Sequence, residues 1–178
     1  GFGELEGNRT STTDNSGSKS GTVDSEYGAI FAEFNLGDGP VSAGIELVPM
    51  EGVIDTRDST GTDSHVTVGP LVTLYLLASR DTDFGSLYGK IGYASADLSA
   101  KSNYGHTLSN MSDKAEGPMI GVGVQVDSPL PIFNVVRLEG TYTQFDDLKI
   151  TSTEGSNSEA RTGDANLTTL SISLARSF

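Results

Sequence analysis

The chain has 178 residues, the length of one domain, with 11 Lys and Arg against 24 Asp and Glu and a net charge of −13. That excess of acid argues against nucleic acid as a partner, because phosphate neutralisation needs a basic surface. Absent cysteine removes disulfides, thiolate nucleophiles and cysteine metal sites, and 35% hydrophobic content without tryptophan is too little for an ordinary packed core.

Helical periodicity is missing, and period-2 alternation recurs in short runs. Gly1–Asn8 reads as a first strand, with Phe2, Glu4 and Glu6 on one side. A polar loop, Arg9–Glu26, leads to Tyr27–Leu36, which alternates Gly28, Ile30, Ala32, Phe34 and Leu36 against Ala29, Phe31, Glu33 and Asn35. The Gly37-Asp38-Gly39-Pro40 turn precedes Val41–Val48, then a second polar loop, Pro49–His65. Val66–Ser79 has Val68, Val72, Leu74, Leu76 and Ala78 on its apolar face; Pro70 inside it weakens its start or marks a bulge. A short turn, Arg80–Gly85, leads to Ser86–Ala96, then a third long loop, Asp97–Gly117. Pro118–Val126, a proline-containing turn at Asp127–Phe133, and Asn134–Phe145 follow. A fourth loop, Asp146–Asn166, precedes the closing strand Leu167–Phe178.

Eight strands result, with connections alternating long and short. A soluble sandwich has no reason to gather every long loop at one end. An up-and-down barrel crossing an outer membrane does, with short turns on the inner side and long loops outside. Lipid demands apolar outward residues, the interior tolerates polar ones, and every backbone hydrogen bond is made between strands. Such a wall needs only a thin apolar belt, which accounts for the low hydrophobic content. Tyr93 and Tyr142 fall near outer strand ends, Phe34 and Phe178 near inner ends, where interfacial girdles belong. No run of 18 apolar residues offers a transmembrane helix. No basic-then-apolar leader opens the sequence, so a signal peptide is expected to be absent or already removed. The expectation is one all-β domain over 1–178, an eight-stranded antiparallel up-and-down transmembrane β-barrel.

At this point the chain resembles the small eight-stranded outer-membrane barrels of Gram-negative bacteria: the OmpA transmembrane domain, OmpX and the opacity-type proteins. The motif carrying the resemblance is the last strand, with Leu170, Ile172 and Leu174 alternating toward the terminal Phe178. In that family such a strand is the signal read by the barrel-assembly machinery. Arg176 departs from the pattern, which favours an apolar residue there; a snorkelling Arg at the membrane edge is tolerated. The resemblance implies outer-membrane localisation, with lipid and lipopolysaccharide as surroundings.

The inward face is expected to carry Glu4, Glu6, Glu33, Glu46, Lys90, Arg137 and Glu139, five acids against two bases. Unpaired buried charge is costly, so Lys90 and Arg137 are expected to be bridged by carboxylates, with spare acids protonated, hydrated or binding a cation. A plug of salt bridges is one reading; a narrow cation-preferring pore is the other. Inward Gly44, Gly69, Gly92, Gly121 and Gly123 leave room that water could fill. A carboxylate pair for glycoside hydrolysis is disfavoured, because an eight-stranded lumen cannot admit a sugar chain.

His65 and His106, the only histidines, fall in outer loops. His106 and Ser109 invite comparison with lipid A deacylases, but their spacing of three in a loop departs from the two-residue spacing on one strand face in that family. No catalytic residue, metal site or cofactor is expected. Asp55, Asp58 and Asp63, and Asp146, Asp147, Glu154, Glu159 and Asp164, make two loops acidic without an EF-hand pattern. Such acids favour solubility or divalent bridging to lipopolysaccharide or neighbouring barrels. Asn8, Asn110 and Asn166 open glycosylation sequons that read as chance.

The expected function is therefore non-enzymatic: envelope structure, or surface contact and adhesion through four long polar loops. Other copies of the chain or other envelope proteins are candidate partners. A small passive channel is the alternative, and a lipid A-modifying enzyme a remote one. A soluble lipocalin-like cup is disfavoured by charged inward positions; its extraction would need no detergent.

Overall fold

The computed structural model describes residues 1–11, 19–49, 52–57, 63–102, 107–109, 112–154 and 157–176. Among them are eleven strands and no helix. These are β1 (Phe2–Ser11), β2 (Lys19–Glu26), β3 (Ile30–Asn35), β4 (Val41–Val48), β5 (Gly52–Arg57), β6 (Asp63–Thr82), β7 (Gly85–Ser102), β8 (Thr107–Ser109), β9 (Lys114–Asp127), β10 (Val135–Glu154) and β11 (Asn157–Ala175). Every described ladder is antiparallel.

Three pairs of strands are successive parts of one stave each: β2 with β3, β4 with β5, β8 with β9. The chain is thus an eight-stave meander. The ladder runs β2-β1-β11-β10-β9-β7-β6-β4-β3, so its two ends lie on the same stave. The stagger follows from the registers. Starting at Phe2, the partners are Leu170, Gly140, Val122, Gly89, Ala78 and Val41 in turn. Val41 meets Leu36 through the Leu36 N–H at 2.9 Å. On its other side Phe2 pairs with Glu26. The circuit therefore returns to its starting stave ten residues further along, from Glu26 to Leu36. A fixed stagger of this kind is what tilted barrel staves require.

The stagger sets heights. Phe2 lies opposite Glu26, and the β2–β3 stave continues ten more residues to the inner turn. Gly1 therefore lies near the outer edge of the lipid-facing belt, and β1 runs outward from there. The inner turn itself depends on Gly37, whose φ of 77° suits glycine.

The structure corrects the loop lengths. The described residues of 9–26, 49–65, 97–117 and 146–166 are mostly ladder. β1 pairs with β2 out to Arg9, β5 with β6 out to Arg57 and Asp63, and β10 with β11 out to Glu154 and Asn157. Apolar alternation reports only lipid contact. Once both faces are in water, a Ser/Thr-rich strand is held by its ladder and cross-strand pairs and shows no alternation. Pro70 marks a register shift between Val68 and Leu71, and a second shift falls between Phe145 and Leu148.

Burial is inverted relative to a water-soluble domain. Val122 and Ile172 are each 71% exposed, and Ile30, Phe34, Leu74, Ile91 and Ile120 also face outward. Lys90 is 3% exposed, and Glu139, Thr73 and Thr143 are buried with it. An apolar exterior around a charged interior is the arrangement lipid demands of a barrel. Phe34, Tyr93 and Tyr142 lie on the exterior; Phe178 lies outside the described residues.

Candidate functional site

Five charged side chains converge inside the wall. Alternation along β3, β4, β7 and β10 sends Glu33, Glu46, Lys90, Arg137 and Glu139 inward while their apolar neighbours meet lipid. Arg137 grips Glu33 with a two-pronged pair: Nη1 to Oε1 at 2.7 Å and Nη2 to Oε2 at 2.6 Å. Its Nε donates to Gln125 at 3.0 Å. Lys90 donates to Glu46 and to Glu139, both at 2.9 Å. Each of the three carboxylates therefore touches a cation.

Two tyrosines tie the pairs together. The Tyr75 hydroxyl donates to Glu33 at 2.7 Å, and the Tyr75 ring centroid lies 3.9 Å from the Lys90 ammonium. The Tyr88 hydroxyl donates to Glu139 at 2.9 Å. The Arg137 guanidinium also lies over Phe31 at 5.2 Å and Tyr88 at 5.3 Å. Above this layer, Ala94, Ala115 and Phe145 pack with Leu5, Leu71, Leu98, Ala165 and Leu167 into an apolar stopper.

The inward glycines do not leave water-filled room. Gly44 is cross-strand partner to Tyr75, and Gly123 to Tyr88. A Cβ at either glycine would run into the partner's ring. Each tyrosine thus lies flat in the hollow its glycine leaves, which aims its hydroxyl across the lumen. At Gly92 the nearest atoms are the Leu74 carbonyl, Tyr75 Cβ and Met119 Cε, and at Gly69 they belong to Asp97. Gly121 faces Thr141 and Lys90. Gly123→Val is expected to expel the Tyr88 ring and cost about 1–3 kcal/mol, read from urea unfolding in detergent micelles. Gly89→Val, facing outward with nothing within 4 Å of a new Cβ, is expected to stay near neutral.

Glu4 and Glu6 are corrected: they stand on the exterior, while Gly3 between them and Phe2 is buried. They share the outward face of Phe2, above the lipid belt, beside Asp24 and Thr22 on one side and Thr168 and Asn166 on the other. Among the described residues, the interior charge cluster therefore holds three acids and two bases rather than five and two. Leu170, Ile172 and Leu174 face outward at the inner half of β11. The His65 backbone pairs with Asp55 and Lys101 within β6; His106 and Asn110 lie outside the described residues. No cluster of three or more metal-ligating side chains occurs among the described residues.

Tyr75, Tyr88 and Gln125 belong to the site and carry no motif of their own. For the two tyrosines the signal was available as inward tyrosines facing inward glycines on the neighbouring stave; Gln125 gave none beyond its inward face.

No protein-family model matches the sequence, and no curated protein matches it. The structure is similar to the crystal structure of Ail, the attachment invasion locus protein of Yersinia pestis, with TM-score 0.36 and 14% identity over 93% of this chain and 94% of that one. A second Ail structure, in complex with the heparin analogue sucrose octasulfate, aligns with TM-score 0.35 and 14% identity over 96% and 95% of the two chains.

Proposed function

We propose that the chain is one non-enzymatic outer-membrane barrel domain whose lumen is a structural plug and whose work is surface contact through its outer strands. The observation that carries this reading is the filled interior. Charged groups satisfy one another, tyrosine rings occupy the glycine hollows, and an apolar stopper lies above them. What remains available to partners is the ribbon beyond the lipid. β10 continues from Tyr142 to Glu154, roughly 40 Å of strand at about 3.3 Å per residue. The ribbons are rich in Ser, Thr and acid, suited to hydrated surfaces, adhesion and contacts with lipopolysaccharide or other envelope proteins. Leu170, Ile172 and Leu174, with Phe178, serve as the assembly signal.

The test pairs two measurements on the refolded chain, with a heat-modifiability gel confirming that it folded. In a planar bilayer the plug predicts silence. Discrete cation-selective steps that shrink in Glu46→Gln would overturn it in favour of a channel. In cells, trimming Lys149–Arg161 to a two-residue turn is expected to abolish adherence to cell layers or to like bacteria while the gel shift persists. Undiminished adherence would remove the ribbon from the function.

A further inference from the structure

The apolar exterior does not stop where the staves do. Along β7, β9 and β10 it runs down through the exposed Leu87, Val126 and Leu138. It then continues into two inner turns. The β6–β7 turn carries Phe84, 66% exposed, and the β9–β10 turn over residues 128–134 carries Ile132, 64% exposed, with Leu130 and Phe133. The registers place these turns side by side. Ser86 is the partner of Gln125, and a Cβ at Gly85 would meet the Gln125 carbonyl and Val126 Cγ1. Phe84, one residue on, therefore stands beside Asp127, where the longer turn begins. The β3–β4 turn, Gly37-Asp38-Gly39-Pro40, has no large apolar residue.

Topology does not ask for the longer turn. Thr82 and Gly85 close the β6–β7 hairpin over two residues, Asp83 and Phe84, whereas seven residues join β9 to β10. Those seven are built to hold a shape. The Ser128 N–H donates to the Asn134 carbonyl at 2.9 Å and closes the loop. The Leu130 N–H donates to Ser128 Oγ at 3.2 Å. Pro129 and Pro131 fix two φ angles between them. The frame holds Leu130 and Ile132 out on the surface instead of letting them fold back onto the wall.

Neighbouring exposed apolar side chains mark an interaction surface. We propose that the two turns form a one-sided membrane foot, inserted among the headgroups and upper acyl chains of the inner leaflet. Continuity carries the proposal, because the patch is the lower end of the lipid-facing exterior. Arg80 faces outward opposite Leu87 and is exposed, so its guanidinium reaches the phosphates beneath the apolar belt. The other charged groups beside the turns are Asp81, which accepts from Ser86 Oγ, Asp83 and Asp127, all exposed. Three acids against one base disfavour an anionic surface, so the foot takes zwitterionic lipid. Apolar surface then reaches lower beside β7 and β9 than at Asp38. Interfacial anchors of this kind set tilt, and the barrel leans toward its foot.

The test uses the absence of tryptophan, which makes any introduced one the only indole in the chain. Phe84→Trp, Ile132→Trp and, at the polar turn, Asp38→Trp are refolded into phosphatidylcholine vesicles, with the gel shift confirming each fold. The vesicles carry bromine on the acyl chains near the carbonyl end, or none. At 84 and 132 the indole is expected to lose most of its emission to bromine and little to aqueous acrylamide. At 38 the order is expected to reverse. Acrylamide quenching without bromine quenching at 84 and 132 would overturn the proposal; it would put the turns in water and make a soluble periplasmic protein their occupant. Equal bromine quenching at 38 would overturn it too, since the indole and not the turn would then be seeking lipid. Phe133→Trp exchanges one aromatic for another and replaces Ile132→Trp if that variant does not fold. Conductance and adherence report on the plug and ribbons independently, so either reading can fail without the other.

Discussion

Arg137→Ala is expected to destabilise the folded barrel by about 3–5 kcal/mol, the cost of breaking a buried pair by removing one partner. The side chains of Arg137 and Glu33 are 11% and 15% exposed, and Glu33 keeps only the Tyr75 hydroxyl once the guanidinium is gone. A carboxylate in that position has lost both prongs of its pair with little water to replace them. The double variant Glu33→Leu with Arg137→Met removes both charges and is expected to recover most of the loss, because well-packed apolar replacements of a buried pair are commonly near neutral. Urea titrations of wild type, both single variants and the double variant close the cycle. A single-variant cost below about 1 kcal/mol would place the pair in solvent, where exposed ion pairs contribute that little. It would also remove the plug on which the silent lumen depends.

The lipid-facing pattern was legible because one solvent acts on one face of the wall. Ile30, Phe34, Leu74, Leu76, Ile91, Ile120, Leu138 and Ile172 follow strict alternation and stand on the exterior. The inward Glu33, Glu46, Lys90, Arg137 and Glu139 follow from the same alternation. Their pairing does not, since a period-2 pattern gives the face of a residue and not its height. The stagger of ten residues decides that Arg137 meets Glu33 while Lys90 meets Glu46 and Glu139. It also moves Glu4 and Glu6 outside. On a first strand beginning low in the wall, two glutamates would have had to point inward to avoid lipid. On one beginning opposite Glu26 they clear the belt and remain on the face of Phe2. The outer ribbons left no trace because water on both sides imposes no alternation, so Thr107–Ser109 and Lys149–Thr153 read as loop while forming ladders.

Val122→Arg separates a lipid-facing wall from a water-facing one. Val122 is 71% exposed and sits midway along Pro118–Val126, between Gly140 and Gly89 on the adjacent staves. Neither glycine offers a side chain to shield a charge. Half of a roughly 25 Å apolar band separates the position from either interface, too far for an arginine to snorkel out completely. The expected cost is about 2–4 kcal/mol in lipid vesicles, as for a cation at the midplane of a barrel exterior. On a surface facing water the same exchange would stay within about 0.5 kcal/mol. Glu4→Arg is the paired control. From the exterior above the belt it is expected to change stability by no more than about 0.5 kcal/mol. Inside the lumen it would put a third cation beside Lys90 and Arg137 and cost several times more. A large loss in Val122→Arg with none in Glu4→Arg fixes both the face and the height of β1. Equal losses would return Glu4 to the interior and undo the stagger.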